Sequence, residues 1–372
     1  MDEPIPLARP ELGEREEELV LEALRSGRLS LGPLLERFER EFAQRLGASD
    51  AVAVSSGTAA LHLGVRALGW GEGERVLTTP LSFVASANCL LYEGAEPLFC
   101  DIDPVTLNID PGAGAAAVDE RTVGILPVHL FGFPADMPAL ERLAGERSLS
   151  VLEDACQALG AVDAEACSVG SRGNAAAFAF YANKQITTGE GGLLVPPGPE
   201  AAARLRSERN QGRNEDMEVM GHERLGFNYR LSELGAALGV AQLERLDDLL
   251  AARARVASSY RERLGGVEGI VLPCENRGAE RRSWFVFALQ LPEDAEREEV
   301  IGALAERGVA AKAYLPCIHT QPLYRDRFGF VGGEFPIAEA AAARLLALPF
   351  FPSMSEQQVD RVCTELLAAL GR

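Results

Sequence analysis

The sequence between residues 50 and 195 alternates short apolar runs with stretches of helical periodicity, and this alternation is the feature that most limits its fold. Six of the runs have the length and composition of buried strands, and they lie at residues 51–54, 75–78, 97–100, 124–128, 149–153 and 177–181. Strands separated by helices form βα units, which build a mostly parallel sheet covered on both faces. The pattern therefore predicts an α/β fold with a large domain whose sheet lies between layers of helices.

The segments on either side of this alternation predict further helices and a second, smaller α+β lobe. Residues 11–46 carry two amphipathic helical patterns, and residues 232–265 form one long helix or two. The carboxyl-terminal part then predicts a strand, a helix and a second strand, at residues 284–291, 296–307 and 309–314.

A chain of 372 residues is long enough for two lobes that share one cleft. We expect a large domain over residues 30–245 and a small domain formed by residues 1–29 together with 246–372.

The composition and net charge argue against several classes of protein. The formal net charge of −19 disfavours a surface that binds nucleic acid, and the sequence has no run of about 18 apolar residues that predicts a membrane span. The seven cysteines contain no CxxC pair and the four histidines lie far apart, which disfavours a disulfide framework and a metal site. From the spacing of the cysteines and histidines we expect free thiols, as in a reducing cytoplasm, and no metal. The first residues are acidic and lack an apolar signal core, which also favours a cytoplasmic protein.

Two segments that follow predicted strands carry candidate binding groups. The segment SSGTAAL at 55–61 opens a helix, where Gly57 and the hydroxyl of Thr58 suit a phosphate at the positive end of the helix dipole. An ordinary N-cap also explains this segment when it is taken alone. Asp154 stands at a strand end, where α/β sheets bind ligands and where a carboxylate can hold a protonated pyridine nitrogen or simply cap the next helix. Glu153 is the competing carboxylate, but strand alternation directs it to the opposite face.

The segment AFYANKQITTGEGG at 179–192 carries the strongest chemical signal. Lysine is scarce in this sequence, and Lys184 lies between an apolar strand and a glycine-rich turn. A lysine in such a site loses its proton readily and can attack a carbonyl to form a Schiff base. The alternative is a surface lysine at a strand–turn junction. A fourth segment, GFNYRLS at 226–232, by itself indicates only a loop followed by a helix N-cap.

In order and spacing, five segments resemble the DegT/DnrJ/EryC1/StrS family of sugar aminotransferases: SSGTAALHL, TTPLSFVASANCLLYEGAEPLFCDID, LEDACQALGA, FYANKQITTGEGG and GFNYRLSELGAALG. The resemblance extends from LSLGPLLERFEREFA to the last helix. It implies a transferase fold of type I that binds pyridoxal 5'-phosphate (PLP). It also implies a homodimer with shared active sites, which transfers an amino group from glutamate to a nucleotide-linked keto-sugar.

The resemblance further implies roles for individual residues. Lys184 would hold PLP as a Schiff base and shuttle a proton, and Asp154 would pair with the pyridine nitrogen. The other cofactor contacts would come from Gln157 beside the phenolic oxygen, Phe83 stacked on the ring, Gly57 and Thr58 at the phosphate, and Asn228 of the partner subunit. The substrate-binding candidates are Arg230, Tyr314 and His319. A structural role is an equal alternative for His319 and is the expected role of His129.

The sequence departs from the family pattern at one position. The family commonly has a phosphate-binding serine five residues before the lysine, and this chain has Ala179, which implies weaker phosphate binding and the same reaction. Another branch of the family has histidine in place of the lysine and dehydrates keto-sugars, so Lys184 disfavours that activity. A PLP-binding regulatory protein without activity is a third alternative, which the pairing of Lys184 with Asp154 disfavours.

Overall fold

A seven-stranded sheet forms the centre of the molecule in the computed structural model, which describes residues 3–214 and 221–372. Its strands are β1 (Val52–Val54), β2 (Arg75–Thr78), β3 (Glu96–Phe99), β4 (Thr122–Leu126), β5 (Ser150–Asp154), β6 (Ala175–Ala179) and β7 (Gly192–Val195). They lie in the order β1-β7-β6-β5-β4-β2-β3. The strands from β6 to β3 are parallel to one another, whereas β7 pairs antiparallel with both β6 and β1.

Helices cover both faces of this sheet, as the alternation of the sequence predicts. They are α1 (Glu14–Ser26), α2 (Pro33–Leu46), α3 (Gly57–Leu68), α4 (Ala85–Leu91), α5 (Pro111–Ala117), α6 (Met137–Arg147), α7 (Pro199–Arg209), α8 (Glu233–Glu244) and α9 (Leu246–Leu264). Neighbouring residues of β1 show the two layers, because Ala53 packs in the cluster that contains α2 and α8, and Val52 packs in the cluster that contains α3. Alternate burial on both faces accounts for the nearly continuous apolar runs of these strands.

A three-stranded antiparallel sheet near the carboxyl end forms a second packing unit. Its strands are β8 (Phe287–Gln290), β9 (Lys312–Ala313) and β10 (Leu345–Leu348), in the order β8-β10-β9. The accompanying helices are α10 (Arg297–Glu306), α11 (Pro322–Phe328), α12 (Pro336–Arg344) and α13 (Glu356–Ala369). Apolar residues of α10, α13 and the second half of α9 pack with this sheet in one cluster.

Helix α9 connects the two packing units. Leu249, near its start, packs in a cluster of the large sheet, whereas Val256 packs with the small sheet. At the amino end, Ile5 belongs to the small-sheet cluster, but Leu19 of α1 packs with the large sheet. The domain boundaries at residues 29 and 245 stay a prediction.

The structure confirms the six strands expected between residues 50 and 195, each displaced along the chain by at most two residues. The segment 232–265 is two helices, α8 and α9, which meet at Arg245. The seven cysteines are free thiols. Within residues 3–214 and 221–372, none of the helices combines the length and apolar character needed to cross a bilayer.

Candidate active site

The carboxyl ends of four strands surround a cavity of about 1030 Å³. Its lining comes from the segments that follow β1, β2, β5 and β6, and is completed by residues near the small sheet. In sheets with parallel strands this edge is where ligands bind. Seven of the candidate residues line the cavity: Gly57, Thr58, Phe83, Asp154, Gln157, Lys184 and Tyr314.

Asp154 is the last residue of β5, and its carboxylate is held in place from two sides. The residue is only 4% exposed. The hydroxyl of Ser86 donates to Oδ2 at 2.6 Å, and the main-chain N–H of Cys156 donates to Oδ1 at 3.1 Å. Ser86 in turn shares a hydrogen bond of 2.8 Å with the hydroxyl of Ser82. These hydrogen bonds fix the orientation of the carboxylate toward the cavity.

Glu153 points to the other face of the sheet, as the alternation of side chains in a strand predicts. Its Oε2 accepts a hydrogen bond from the main chain of Gly170 at 2.9 Å and lies 3.1 Å from Nε2 of His129. Because Nδ1 of His129 accepts the N–H of Ala135 at 3.0 Å, the proton of this imidazole must be on Nε2. His129 therefore joins the segment that follows β4 to β5, which fits the structural role expected of it.

Lys184 lies in the loop between β6 and β7, outside any regular element. Its Nζ is 4.1 Å from the centroid of the Phe285 ring, which contributes to the cavity wall. Burial lowers the pKa of the Lys184 amine, an effect that outweighs the opposing influence of the Asp154 carboxylate. A lysine in this environment supplies a neutral amine at a smaller cost than one in water, which is the property that a nucleophilic lysine needs.

The start of α3 presents main-chain N–H groups to the cavity. Ser56 is the N-cap and accepts the N–H of Ala59, whereas the N–H groups of Gly57 and Thr58 have no acceptor among the described residues. A Cβ at position 57 would lie 2.6 Å from the Cβ of Ala179, so glycine lets this helix start approach the end of β6. Free N–H groups and the helix dipole together suit an anion such as a phosphate.

Three further cavity residues offer different kinds of contact to a ligand. Gln157 accepts the N–H of Phe131 at 2.9 Å through Oε1, so its side chain has a fixed orientation. Burial raises the pKa of Tyr314 to about 12, so its hydroxyl stays protonated and can donate. Phe83 is 56% exposed, and its ring is a large apolar surface open to the cavity.

His319 is not part of the cavity lining among the described residues. It is fully buried, packs against the rings of Phe330 and Phe335, and places Nε2 3.0 Å from Glu339. The ligand atoms of His319, Glu334 and Glu339 lie within 4.8 Å of one another. Both carboxylates also accept main-chain N–H groups of residues 331–335, which accounts for their position. The structure thus favours the structural alternative for His319, and the expected absence of a metal stays a prediction.

Asn228 and Arg230 also lie outside the described lining of the cavity in their own protomer. Asn228 is exposed, and Nη1 of Arg230 donates to Oδ1 of Asn210 at 2.9 Å. Their turn is joined to the end of β1 through the main chain, where the N–H of Ser55 donates to the carbonyl of Tyr229 at 2.7 Å.

Comparison with known proteins gives consistent matches over almost the whole chain. The model of the DegT/DnrJ/EryC1/StrS aminotransferase family matches residues 10–367. The spore coat polysaccharide biosynthesis protein SpsC of Bacillus subtilis is 38% identical, with 96% of this chain and 95% of that protein aligned. GDP-perosamine synthase of Caulobacter vibrioides is 36% identical, with 97% of each chain aligned. The crystal structure of S. venezuelae DesV in complex with a ketimine intermediate has a TM-score of 0.93 at 34% identity and covers 100% of both chains.

Proposed function

This chain belongs to the DegT/DnrJ/EryC1/StrS aminotransferase family, and from that premise we propose that it transfers an amino group from glutamate to a nucleotide-linked keto-sugar. Membership and the similar structures make it a PLP-dependent sugar aminotransferase with a type I transferase fold. The observation that carries the proposal is that one cavity contains a lysine whose pKa is lowered and a fixed, buried carboxylate.

The groups that line the cavity fit PLP. The free N–H groups of Gly57 and Thr58 would bind the phosphate, Asp154 would pair with the ring nitrogen, and the ring of Phe83 would stack on the pyridine face. Gln157 would lie beside the phenolic oxygen. When bound, PLP supplies an aldehyde that reacts with amines and a pyridinium ring that withdraws electrons from the reacting carbon.

We assign two tasks to Nζ of Lys184, which are to bond to the cofactor and to carry a proton to and from the carbon that exchanges the amino group. Bonding to the cofactor and taking up the proton require the neutral amine, and burial shifts the pKa of Lys184 in that direction. The ammonium formed when the amine takes up the proton is the group that returns it. The contact with the Phe285 ring limits where the amine can move and helps to exclude water from it.

We assign to Asp154 the task of keeping the ring nitrogen protonated. This requires a carboxylate that does not rotate, and the hydrogen bonds from Ser86 and from the N–H of Cys156 fix its orientation. Burial raises the pKa of the Cys156 thiol, so that the neighbouring sulfur stays neutral and does not compete with the carboxylate for the proton.

The size of the cavity and the lysines that line it support the proposal of a long, anionic substrate. Its volume of about 1030 Å³ is at the upper end of the range for small-molecule sites, about 300–1,000 Å³, and leaves room for a cofactor and a further ligand. The sequence contains two lysines, and both line this cavity, with Lys312 on β9 of the small sheet. We assign Lys312 to the phosphates of a nucleotide, at a distance from the carbon that reacts. The name of GDP-perosamine synthase, one of the relatives, supports a nucleotide-linked sugar.

We further propose a homodimer in which Asn228 completes the phosphate site of the partner subunit. The exposed position of Asn228, outside its own cavity, supports this role. Ala179 brings no hydroxyl to the phosphate site, so a donor from a second subunit would be of particular value. The free cysteines support a reducing compartment, and we propose the cytoplasm.

The proposed function can be tested directly with the purified protein. The protein would be mixed with PLP, glutamate and a panel of nucleotide-linked keto-sugars, and 2-oxoglutarate would be measured together with the amino-sugar. We expect both products in equal amounts, and none with Lys184→Ala. Loss of water from the sugar without 2-oxoglutarate would instead support a dehydratase, and PLP binding without any turnover would support a regulatory protein.

A further inference from the structure

Arg253 on α9 is a buried cation without a carboxylate partner. It is 3% exposed, and no Asp or Glu of the described residues forms an ion pair with it. Burial lowers its pKa to about 10, so the guanidinium is still charged at neutral pH. An unpaired buried charge is costly unless hydrogen bonds compensate for it. Its position therefore needs an explanation in terms of what it contacts.

The guanidinium donates to two main-chain carbonyls, and one of them belongs to Lys184. Nη2 lies 2.7 Å from the carbonyl oxygen of Lys184, and Nη1 lies 3.3 Å from that of Phe285. The ring of Phe285 is the group that contacts Nζ of Lys184, at 4.1 Å from its centroid. A planar guanidinium with several fixed donors can hold two acceptors at a set separation, which a flexible ammonium cannot.

The loop between β6 and β7, residues 180–191, carries Lys184 and is called the lysine loop. Its main chain at Lys184 requires an anchor of this kind. Lys184 lies outside the strands, and its carbonyl receives no main-chain N–H from the described residues. The neighbouring Gln185 is fixed by its own side chain, which donates to the carbonyls of Gln157 and Ser283. Arg253 thus supplies the donor that fixes the main chain at Lys184.

We propose that Arg253 is a positioning residue, which sets the location of the Lys184 amine by binding the main chain of Lys184 and of Phe285 together. The inference rests on the proposed role of Lys184. Arg253 lies on α9 between Leu249, which packs with the large sheet, and Val256, which packs with the small sheet. Phe285 precedes β8 of the small sheet. The guanidinium therefore joins the loop that carries Lys184 to the segment before the small sheet. This fixes the position of the Lys184 amine relative to the Phe285 ring.

The chain offers a matched control in Arg282. It is 9% exposed, and it too has no carboxylate partner among the described residues. Burial again lowers its pKa to about 10. Its donors go to the carbonyl of Phe131 and to Sγ of Cys274, and its guanidinium lies over the rings of Phe133 and Trp284. Arg282 therefore matches Arg253 in burial and charge but donates to neither Lys184 nor Phe285.

The experiment compares Arg253→Met, Arg253→Lys and Arg282→Met in the PLP-loaded protein. For each variant, kcat per bound cofactor, KM for both substrates, the thermal midpoint and the visible circular dichroism of the bound cofactor would be measured. Displacement of a catalytic group by about 1 Å can cost about a hundredfold in rate. We expect Arg253→Met to lower kcat by about ten- to a hundredfold with KM within about twofold, and to weaken the dichroism per bound cofactor.

Arg282→Met should change the thermal midpoint by a similar amount while kcat and the dichroism stay within about twofold of wild type. Arg253→Lys, which keeps the charge but can bind only one of the two carbonyls well, should lie between Arg253→Met and wild type. If Arg253→Met does not fold, Arg253→Lys alone decides the matter. Wild-type kcat and dichroism in the folded Arg253 variants, or an equal loss in Arg282→Met, would overturn the inference.

Failure of this inference can be told apart from failure of the proposed function. If wild-type protein attaches PLP to Lys184 and the folded Arg253 variants retain kcat, only the positioning role is wrong. If wild-type protein does not attach PLP to Lys184, the role of that lysine is wrong, and the role of Arg253 falls with it.

Discussion

The floor of the cavity, formed by Ser86, Asp154 and Lys184, differs sharply from the turn at residues 226–230, which carries Asn228. Each floor residue is held by contacts inside its own protomer. In the turn, the side chain of Asn228 is exposed and lies away from the cavity.

The turn is nevertheless firmly anchored, so that exposure there does not mean a loose segment. The hydroxyl of Tyr229 lies 3.0 Å from Nδ1 of His62, whose Nε2 lies 2.7 Å from Glu93. Burial lowers the pKa of His62, which favours the neutral ring with its proton on Nε2 and leaves Nδ1 to accept the hydroxyl of Tyr229. An exposed side chain on an anchored turn suits a ligand outside its own protomer. We therefore expect the floor residues to act in the active site of their own subunit and Asn228 to act in that of the partner subunit.

The largest effect should come from the floor. Lys184→Ala removes both the amine that bonds to PLP and the group that carries the proton. Because general acid–base assistance alone contributes about 10²–10⁴-fold, we expect activity to fall by more than about 10⁴-fold. The visible band of the lysine-bound cofactor should be lost at the same time. Transamination by Lys184→Ala at the wild-type rate would show that another group does this work.

A smaller but still large effect should follow from a change at Asp154. Asp154→Asn keeps the shape of the side chain but replaces the carboxylate that holds the ring nitrogen in its protonated form. We expect PLP to bind and turnover to fall by about 10²–10⁴-fold, measured under saturation with both substrates. Unchanged turnover in this variant would remove Asp154 from the assignment.

The turn should give a moderate effect, and one that appears in the partner subunit. Removing one hydrogen bond to a charged oxygen costs about 1.5–3 kcal/mol, so Asn228→Ala should weaken PLP binding roughly ten- to a hundredfold. The effect would be measured as a dissociation constant by titration of the apoprotein.

Mixed dimers test whether the floor and the turn of one subunit serve different active sites. In a dimer of one Asn228→Ala subunit and one Lys184→Ala subunit, one site would contain both lesions and the other neither. With PLP well below the dissociation constant of Asn228→Ala, each mixed dimer should show about half of wild-type activity. Mixtures that stay inactive after proven exchange of subunits, or a monomer that is fully active at low concentration, would rule out the shared site.

The smallest effect should come from restoring a hydroxyl at the cavity wall. Ala179→Ser adds a donor beside the first turn of α3, where the phosphate would bind, and the residue is only partly buried. One added hydrogen bond contributes about 0.5–1.5 kcal/mol, so PLP should bind about two- to tenfold more tightly with kcat unchanged. Ala179→Val, which adds bulk without a donor, is the control, and equal affinities in the two variants would argue against a phosphate at this position.

Sequence reasoning could anticipate much of the floor because parallel strands end at the same edge of a sheet. Gly57, Asp154 and Lys184 each follow a predicted strand, and the structure brings them to one cavity. The same reasoning could not find Ser86 or Phe285, whose contacts with Asp154 and Lys184 depend on how α4 and the small sheet pack. No local pattern encodes such long-range contacts.

Two strands and one histidine show where sequence patterns mislead. Strand β7 is a short apolar run after two glycines, and β10 directly follows the alanine-rich helix α12, so neither has a period that separates strand from helix. His319 stands beside Ile318, which does line the cavity, yet its own ring turns into a cluster of aromatic residues. A difference of one residue in the chain therefore decides whether a side chain faces the ligand or the core.

The most direct test of the account is to find the amino group that binds PLP. Borohydride would reduce the PLP-loaded protein, fixing the cofactor to the amine that holds it, and peptide mass spectrometry would locate the label. The sequence contains only two lysines, Lys184 and Lys312, so the outcome is nearly a choice between two residues. We expect a stoichiometric label on Lys184, none on Lys312, and no label in Lys184→Ala. A label on Lys312 or on the chain's amino terminus, with Lys184 unmodified, would contradict it.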